Sequence, residues 1–558
     1  MNTFTEPLKE EICLAAQAYT KQGVVVPLPV AGYQEYLTTG NRLTFEQSYF
    51  QRRRQLSVLG LSVYLTAKPN EVKLLEQVLW EVCNEYTWAL PAHLPLTGEG
   101  YGKNSPVWLD LFAAETAQTL AELLELVGPQ LSPLVFQRVT DEIDRRIFCS
   151  LEGQRWDWET KENNWSSVVA GCIGMAALSV LPKEGRRLMQ IIERLDAAMQ
   201  SYLRGFQDDG ACVEGVGYWG YGFGYYIYYA EKLARELGDQ RYLQHPKAKA
   251  IAAFPSFVQI NEWDYVPFSD YSRVEPPSGL VSFCGDVFGV KTPSIPSVST
   301  LEFDHCYRFA HLSRNLMWSH PQKEKNELEA ATHYFEDAQW LALRDPKAGF
   351  FFAAKGGTND ESHIHLDVGH FVLGDGDTLF LTDLGAGEYT RDYFVDAKRY
   401  GFFPTTTESH SVPLVNGEGQ RPGPVAAREV VFDAEPLCFQ MELSAVYGHR
   451  AELQSFVRRF TVVEEKAVVY LRDVFSFEGT SNRVIESFVS HVKPVIRGQQ
   501  VLLTGKSSCE LTFSTDRIKV VERTFQDHGG NEQTAYLIQV AYEVGAEAEV
   551  EVAIQIRQ

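Results

Sequence analysis

Over roughly the first 340 residues the apolar positions recur at helical spacing. Within 107–127, Leu109, Phe112, Ala113, Leu120, Leu123, Leu124 and Val127 share one face, and Asp110, Glu115, Gln118 and Glu122 lie off it. That pattern predicts an amphipathic helix with one buried side. Comparable stretches at 70–87, 132–149, 166–181, 184–206, 225–237 and 325–343 are separated by breaks containing Gly and Pro. No fixed-period repeat runs through them, so stacked helical hairpins closing into a toroid agree with the element count without being dictated by it. After about residue 345 the period becomes two. Val550, Val552, Ile554 and Ile556 alternate with Glu551, Ala553 and Gln555, and 467–475, 501–504 and 537–542 are further β-rich runs. Helices followed by strands predict segregated domains, a helical one over 1–340 and an antiparallel sandwich over 341–558.

Composition narrows the function classes. A chain of 558 residues with 45% hydrophobic and 12% aromatic content can bury large cores, which excludes disorder, a fibre and a small disulfide scaffold. Lys+Arg total 51 against 73 Asp+Glu, a formal charge of −22 that argues against nucleic acid and, less strongly, against long acidic glycans. The nine cysteines are scattered without a CxxC pair and read as reduced core thiols. The first residues show no basic-then-apolar leader, and no uncharged apolar run approaches the ~20 residues of a membrane span. The expectation is a cytoplasmic protein without a membrane partner; its oligomeric state is left open, a homodimer included. Neither a GxxxxGK[ST] loop nor a GxGxxG turn is present, so nucleotide chemistry has no motif.

Three segments concentrate chemically active residue types. Asn163 and Asn164 precede a small-residue helix, where their amides can cap it or present donors to a carboxylate or sugar hydroxyls; local sequence favours the cap. From Asp209 to Tyr226, glycines separate Tyr218, Trp219, Tyr221, Phe223 and Tyr225, a surface suited to stacking on sugar rings, with one or two phenols available for proton transfer. The others read as packing residues. The third segment holds Ser362-His363-Ile364-His365-Leu366-Asp367, followed by Asp383 and His410. On a strand, His363 and His365 would share one face. Two imidazoles with a carboxylate and a water would suit zinc, and an imidazole would also suit a base.

Together these segments resemble the heparinase II/III-like polysaccharide lyases, a family that includes oligoalginate lyases. The resemblance covers roughly 155–420. It is carried by Gly356-Gly357-Thr358-Asn359-Asp360-Glu361-Ser362-His363-Ile364-His365-Leu366-Asp367, by Asp383-Leu384-Gly385 and Ser409-His410, and by the shorter Glu214-Gly215-Val216-Gly217-Tyr218 and Asn163-Asn164-Trp165. It implies an incomplete (α/α) toroid followed by an antiparallel β-sandwich, and β-elimination on uronic-acid glycans such as heparin or heparan. By the same resemblance Tyr218 is the acid, and the base for syn elimination, while His363 is the base for the opposite epimer. Asn163 and Asn164 would meet the uronate carboxylate, and Glu214, Trp219 and Tyr221 would line the substrate. His365, Asp383 and His410 would hold one zinc ion, mainly structural. Better-known members carry an Asn-His pair where this chain has Asn163-Asn164, so an imidazole is missing there. Arg155 could supply charge instead, whereas the Arg52-Arg53-Arg54 run reads as a solvated helix face. Three alternatives stand beside this reading: an oligoalginate lyase, a hydrolase using Asp209 and Glu214, and a non-catalytic glycan-binding protein.

Overall fold

The computed structural model describes residues 3–98, 100–321, 328–361 and 363–558. The chain forms two compact units, one of 1–210, 218–253 and 274–324, the other of 211–217, 254–273 and 325–558.

The first unit is built from helices. Its centre is Leu111–Val127, which packs against Leu43–Thr66, Pro133–Ile143 and Asn164–Val180, while Asn164–Val180 packs in turn on Arg186–Arg204 and Gly224–Leu237. Asp110 starts the central helix by accepting the Ala113 amide at 2.7 Å. The single buried face expected for this helix is corrected: Glu115, Gln118 and Glu122 are buried with the leucines. The two carboxylates are paired inside, Glu122 with Arg314 and Lys232, and Glu115 with Arg308 and Tyr221, and the Gln118 amide donates to Glu122. The arginine run is corrected too. Arg52 and Arg53 are buried on Glu85, and Arg54 binds Glu302 at 2.6 Å, so these side chains tie helix Leu43–Thr66 to the loops that carry the two glutamates.

The second unit contains three antiparallel sheets of eight, four and five strands. The eight-stranded sheet ends its chain course with Glu547–Arg557, which lies between Val468–Phe477 and Ser508–Phe513. In that strand Val550, Val552, Ile554 and Ile556 face the core, as their alternation predicts, and share it with Phe352, Phe460 and Phe488 from the other strands. The helix expected over 325–343 is corrected: residues 325–327 lie outside the described residues, and Ala331–Phe335 and Trp340–Asp345 are paired strands. Trp340 to Arg344 are all buried, so both faces of that strand are covered and no alternation marks it. All nine cysteines are free thiols, and among the described residues no helix is long and apolar enough to cross a membrane.

Candidate active site and metal centre

In the sheet unit, the histidine-rich segment is a loop between Phe350–Lys355 and Phe371–Gly374, not a strand. Its ends are clamped by Lys355, whose buried ammonium reaches both oxygens of Asp367 at 2.8 Å. Ser362 lies outside the described residues. His363 adopts a left-handed backbone (φ 58°), a conformation that β-carbon sterics disfavour and that tertiary contacts must hold. The two imidazoles meet through a residue that the sequence did not mark. Asp270 accepts from His363 Nδ1 and His365 Nε2, both at 2.9 Å, and also from the Tyr393 hydroxyl and Arg399. Burial opposes ionisation of Asp270, but the hydrogen bonds from His363 and His365 and the charge of Arg399 outweigh it and hold the carboxyl well below its usual range. No local pattern could single out Asp270, because it lies 93 residues before His363 in the chain.

The same hydrogen bonds fix tautomers. His365 donates from Nε2, so its Nδ1 lone pair faces inward, 3.2 Å from His410 Nε2. His410 donates from Nδ1 to Thr406 O at 2.8 Å, so its Nε2 is also a lone pair. Two acceptors this close repel unless a cation or proton lies between them. Asp383 adds a carboxylate, Oδ1 at 4.0 Å from His365 Nδ1 and Oδ2 at 3.4 Å from His410 Nε2; that Oδ2 is buried and accepts no hydrogen bond among the described residues. Tetrahedral zinc with bonds of about 2.0–2.2 Å sets its ligand atoms about 3.3–3.6 Å apart. The three residues therefore fit such an ion in chemistry, and the His365–His410 and His410–Asp383 separations lie close to that spacing, while the His365–Asp383 one is longer. Asp367 belongs to the same buried cluster, although Lys355 occupies both its oxygens. His370, also unmarked in the sequence reading, accepts the Ser411 amide on Nδ1 and brings Nε2 to 3.5 Å from Asp383 Oδ2. Beneath the cluster, the fully buried Arg458 donates to Gly369 O and Ser411 O, which ties the two histidine loops to the sheet.

Glu214 belongs to the sheet unit, where its charge acts on His363. Burial disfavours the His363 imidazolium, yet the hydrogen bond to Asp270 and the carboxylate of Glu214 together raise its pKa above the ordinary imidazole value.

The remaining sequence-derived residues belong to the helical unit. Asn163 caps Asn164–Val180, its side-chain oxygen accepting the Trp165 amide at 3.2 Å, and Asn164 is buried in the first turn. Tyr218 ends a short helical turn that leads into a π-helical turn, Trp219–Phe223. A β-carbon on Gly222 would stand 3.1 Å from that of Asn164, so glycine lets this turn press on the asparagine. Trp219 is corrected as a sugar platform: it is fully buried and its indole donates to Ile251 O at 2.7 Å, which leaves no face for a ring to stack on. Tyr221 donates to Glu115 at 2.5 Å under the Arg308 guanidinium, 4.1 Å from its ring centre. Arg155 is exposed and paired with Glu159.

No protein-family model matches the chain, and no curated protein matches it. Solved structures do. A heparan sulfate lyase HepC mutant from Pedobacter heparinus is 12% identical, with a TM-score of 0.63 over 98% of this chain and 83% of that one. A heparinase III structure is likewise 12% identical, with a TM-score of 0.63 over 100% of this chain and 92% of that one. A further heparinase III gene product gives 0.61 at 12% identity over 99% and 90%. At this identity the likeness speaks for architecture: the chain has the heparinase III fold, an α/α toroid plus an antiparallel β-sandwich.

Proposed function

We propose that the protein is a polysaccharide lyase that cleaves uronic-acid glycans of the heparin or heparan type by β-elimination. The observation that carries this reading is the His363–Asp270 pair: an imidazole oriented by a buried carboxylate, held in a strained loop on a lyase fold. The chemistry must remove a weakly acidic C5 proton, offset the charge that develops at the uronate carboxylate, and protonate the departing O4. His363, oriented by its Nδ1 hydrogen bond to Asp270, is the base that takes the C5 proton. Tyr218 gives its phenolic proton to O4, and in a syn elimination the phenolate would also act as base. Asn163 and Asn164 offer amide hydrogen bonds to the carboxylate, and Glu214 and Tyr221 line the substrate.

His365, Asp383 and His410 are proposed to hold one zinc ion per chain. Bound there, zinc supplies charge and a tie between loops; its ligands orient the segment that carries His363, and elimination consumes no hydrolytic water. The deciding experiment is incubation with unsulfated and sulfated uronate oligosaccharides while ultraviolet absorbance is followed. A lyase generates a conjugated double bond, and products without that chromophore would sink the reading. Tyr218→Phe should lower turnover by about 10²–10⁴-fold and retain binding.

A further inference from the structure

The lyase reading leaves the uronate carboxylate without a charged partner. Arginines that could serve are already engaged: Arg308 by Glu115 and Asp304, Arg314 by Glu122, and Arg52 and Arg53 by Glu85. Asn163, whose side-chain oxygen caps the helix, and Asn164 can offer amide donors but bring no charge.

His93, from a separate segment of the helical unit, stands beside Trp165, the residue that follows these asparagines. Its Nδ1 lies 2.7 Å from Asp110 Oδ2, a fully buried carboxylate that is itself fixed by the Leu90 and Ala113 amides. The ring is therefore locked with Nδ1 as donor to Asp110, and Nε2 has no hydrogen-bond partner among the described residues. The ring sits edge-on to Trp165 at 5.0 Å, directly after Asn163 and Asn164, and lies 5.9 Å from Phe112. Phe112 is in turn 5.9 Å from the Arg308 guanidinium that covers Tyr221, so an aromatic strip runs from Trp165 to the glycine-rich segment. Lys161 adds a second cation: its ammonium is 4.7 Å from the Trp165 ring centre, exposed, and in no salt bridge among the described residues.

We propose that His93, oriented by Asp110 and flanked by Trp165 and Lys161, forms the subsite that binds the acidic group of a uronate. With Nδ1 on Asp110, the opposite ring edge at Nε2 points away from that carboxylate, so a uronate carboxylate can meet the imidazole there, and share a proton with it, without facing the Asp110 charge. Trp165 supplies an apolar face for the pyranose, and Lys161 adds long-range attraction within a chain of formal charge −22. The proposal rests on the uronate reading above and names the contact that selects the acidic sugar.

The test is calorimetric binding to Tyr218→Phe protein, which keeps the ligand intact, using an unsulfated uronate tetrasaccharide and the same sugar with its carboxyl groups reduced. The acidic sugar should bind about 10–100-fold more tightly, as befits a charge-assisted hydrogen bond. His93→Gln should remove most of that preference and leave binding of the reduced sugar unchanged. Lys161→Ala, at the surface where folding is not at stake, should reduce the preference by a smaller factor, and His93→Arg should restore a large part of it. Full preference retained in both His93→Gln and Lys161→Ala overturns the subsite; if His93→Gln does not fold, full preference in Lys161→Ala does so alone. The two readings fail separately. Absence of the chromophore with unmodified protein removes the lyase and leaves the binding preference to be judged on its own, whereas turnover with an undiminished preference in the variants removes the subsite alone.

Discussion

Asp270 spends two carboxylate oxygens on His363, His365, Tyr393 and Arg399, so a single buried side chain sets the orientation of the proposed base and of one proposed metal ligand. Asparagine in its place keeps the shape but presents an NH2 group to donors that need an acceptor. Asp270→Asn should therefore let the His363 ring turn and lose its proton-accepting tautomer, lowering the rate of chromophore formation by about 10²–10⁴-fold. A variant that kept the parental rate would show that His363 needs no orienting carboxylate. The residue scale is also where sequence reasoning reached furthest and fell shortest. His363, His365, Asp383 and His410 could be picked out because they cluster within one stretch of chain and are rare types. Asp270 and His93 could not, since each meets its partners only after folding, and Trp219 looked like a sugar platform because burial of an aromatic leaves no local mark.

At the scale of elements, the two loops that bring His365 and His410 together have little regular hydrogen bonding of their own and depend on side chains: Lys355 on Asp367, Gln420 on Val368, and Arg458 on the carbonyls of Gly369 and Ser411. A metal at their centre would add to that framework, because binding to the folded state alone stabilises it. Purified protein should contain close to one zinc per chain, and His365→Ala should lower both the zinc content and the melting temperature. Metal-free protein with an unaffected variant would refute the ligand set. The helices pose the opposite legibility problem. The apolar period placed Leu111–Val127 to within a few residues, but its acidic positions pointed to a solvated side that does not exist. A helix surrounded by other helices must bury its carboxylates with partners, and those partners, Arg308, Arg314 and Lys232, come from distant segments.

Glu122 turns that burial into a pH dependence. Desolvation alone would raise its pKa, but Arg314 and Lys232 more than compensate and bring it down to about 2 from an ordinary 4.5. A depressed carboxyl contributes stability that is complete above its unfolded value and disappears as pH falls through the folded one, here between about 4.5 and 2, a contribution on the order of 3 kcal/mol. Glu122→Gln should accordingly be several kcal/mol less stable near neutrality, since it leaves the buried Arg314 without a carboxylate partner and Lys232 with Glu125 alone. Denaturation followed from pH 7 to pH 2 should show the gap between parent and variant narrowing below pH 4.5. A gap that stays constant with pH would mean that Glu122 is already neutral in the folded protein.

The whole molecule carries a formal charge of −22, and the proposed substrate is also an anion. These facts are reconciled by range. A long sulfated chain feels the summed field of the protein, while a short uronate held by His93 and Lys161 feels mainly its nearest neighbours. Salt separates the two contributions, because the screening length falls from about 30 Å at 0.01 M to about 8 Å at 0.15 M, shorter than a long polymer yet longer than a direct contact. Raising ionic strength over that interval should increase kcat/KM on long, densely sulfated chains, as repulsion is screened. On an unsulfated tetrasaccharide it should change little or fall slightly. Proteins that bind polyanions through extended basic patches respond in the reverse direction, losing affinity steeply with salt. Kinetics on both substrates across that series would therefore show whether the net charge of the molecule governs which glycans it accepts, and a steep loss with salt on the long chains would point to a basic path that overrides it.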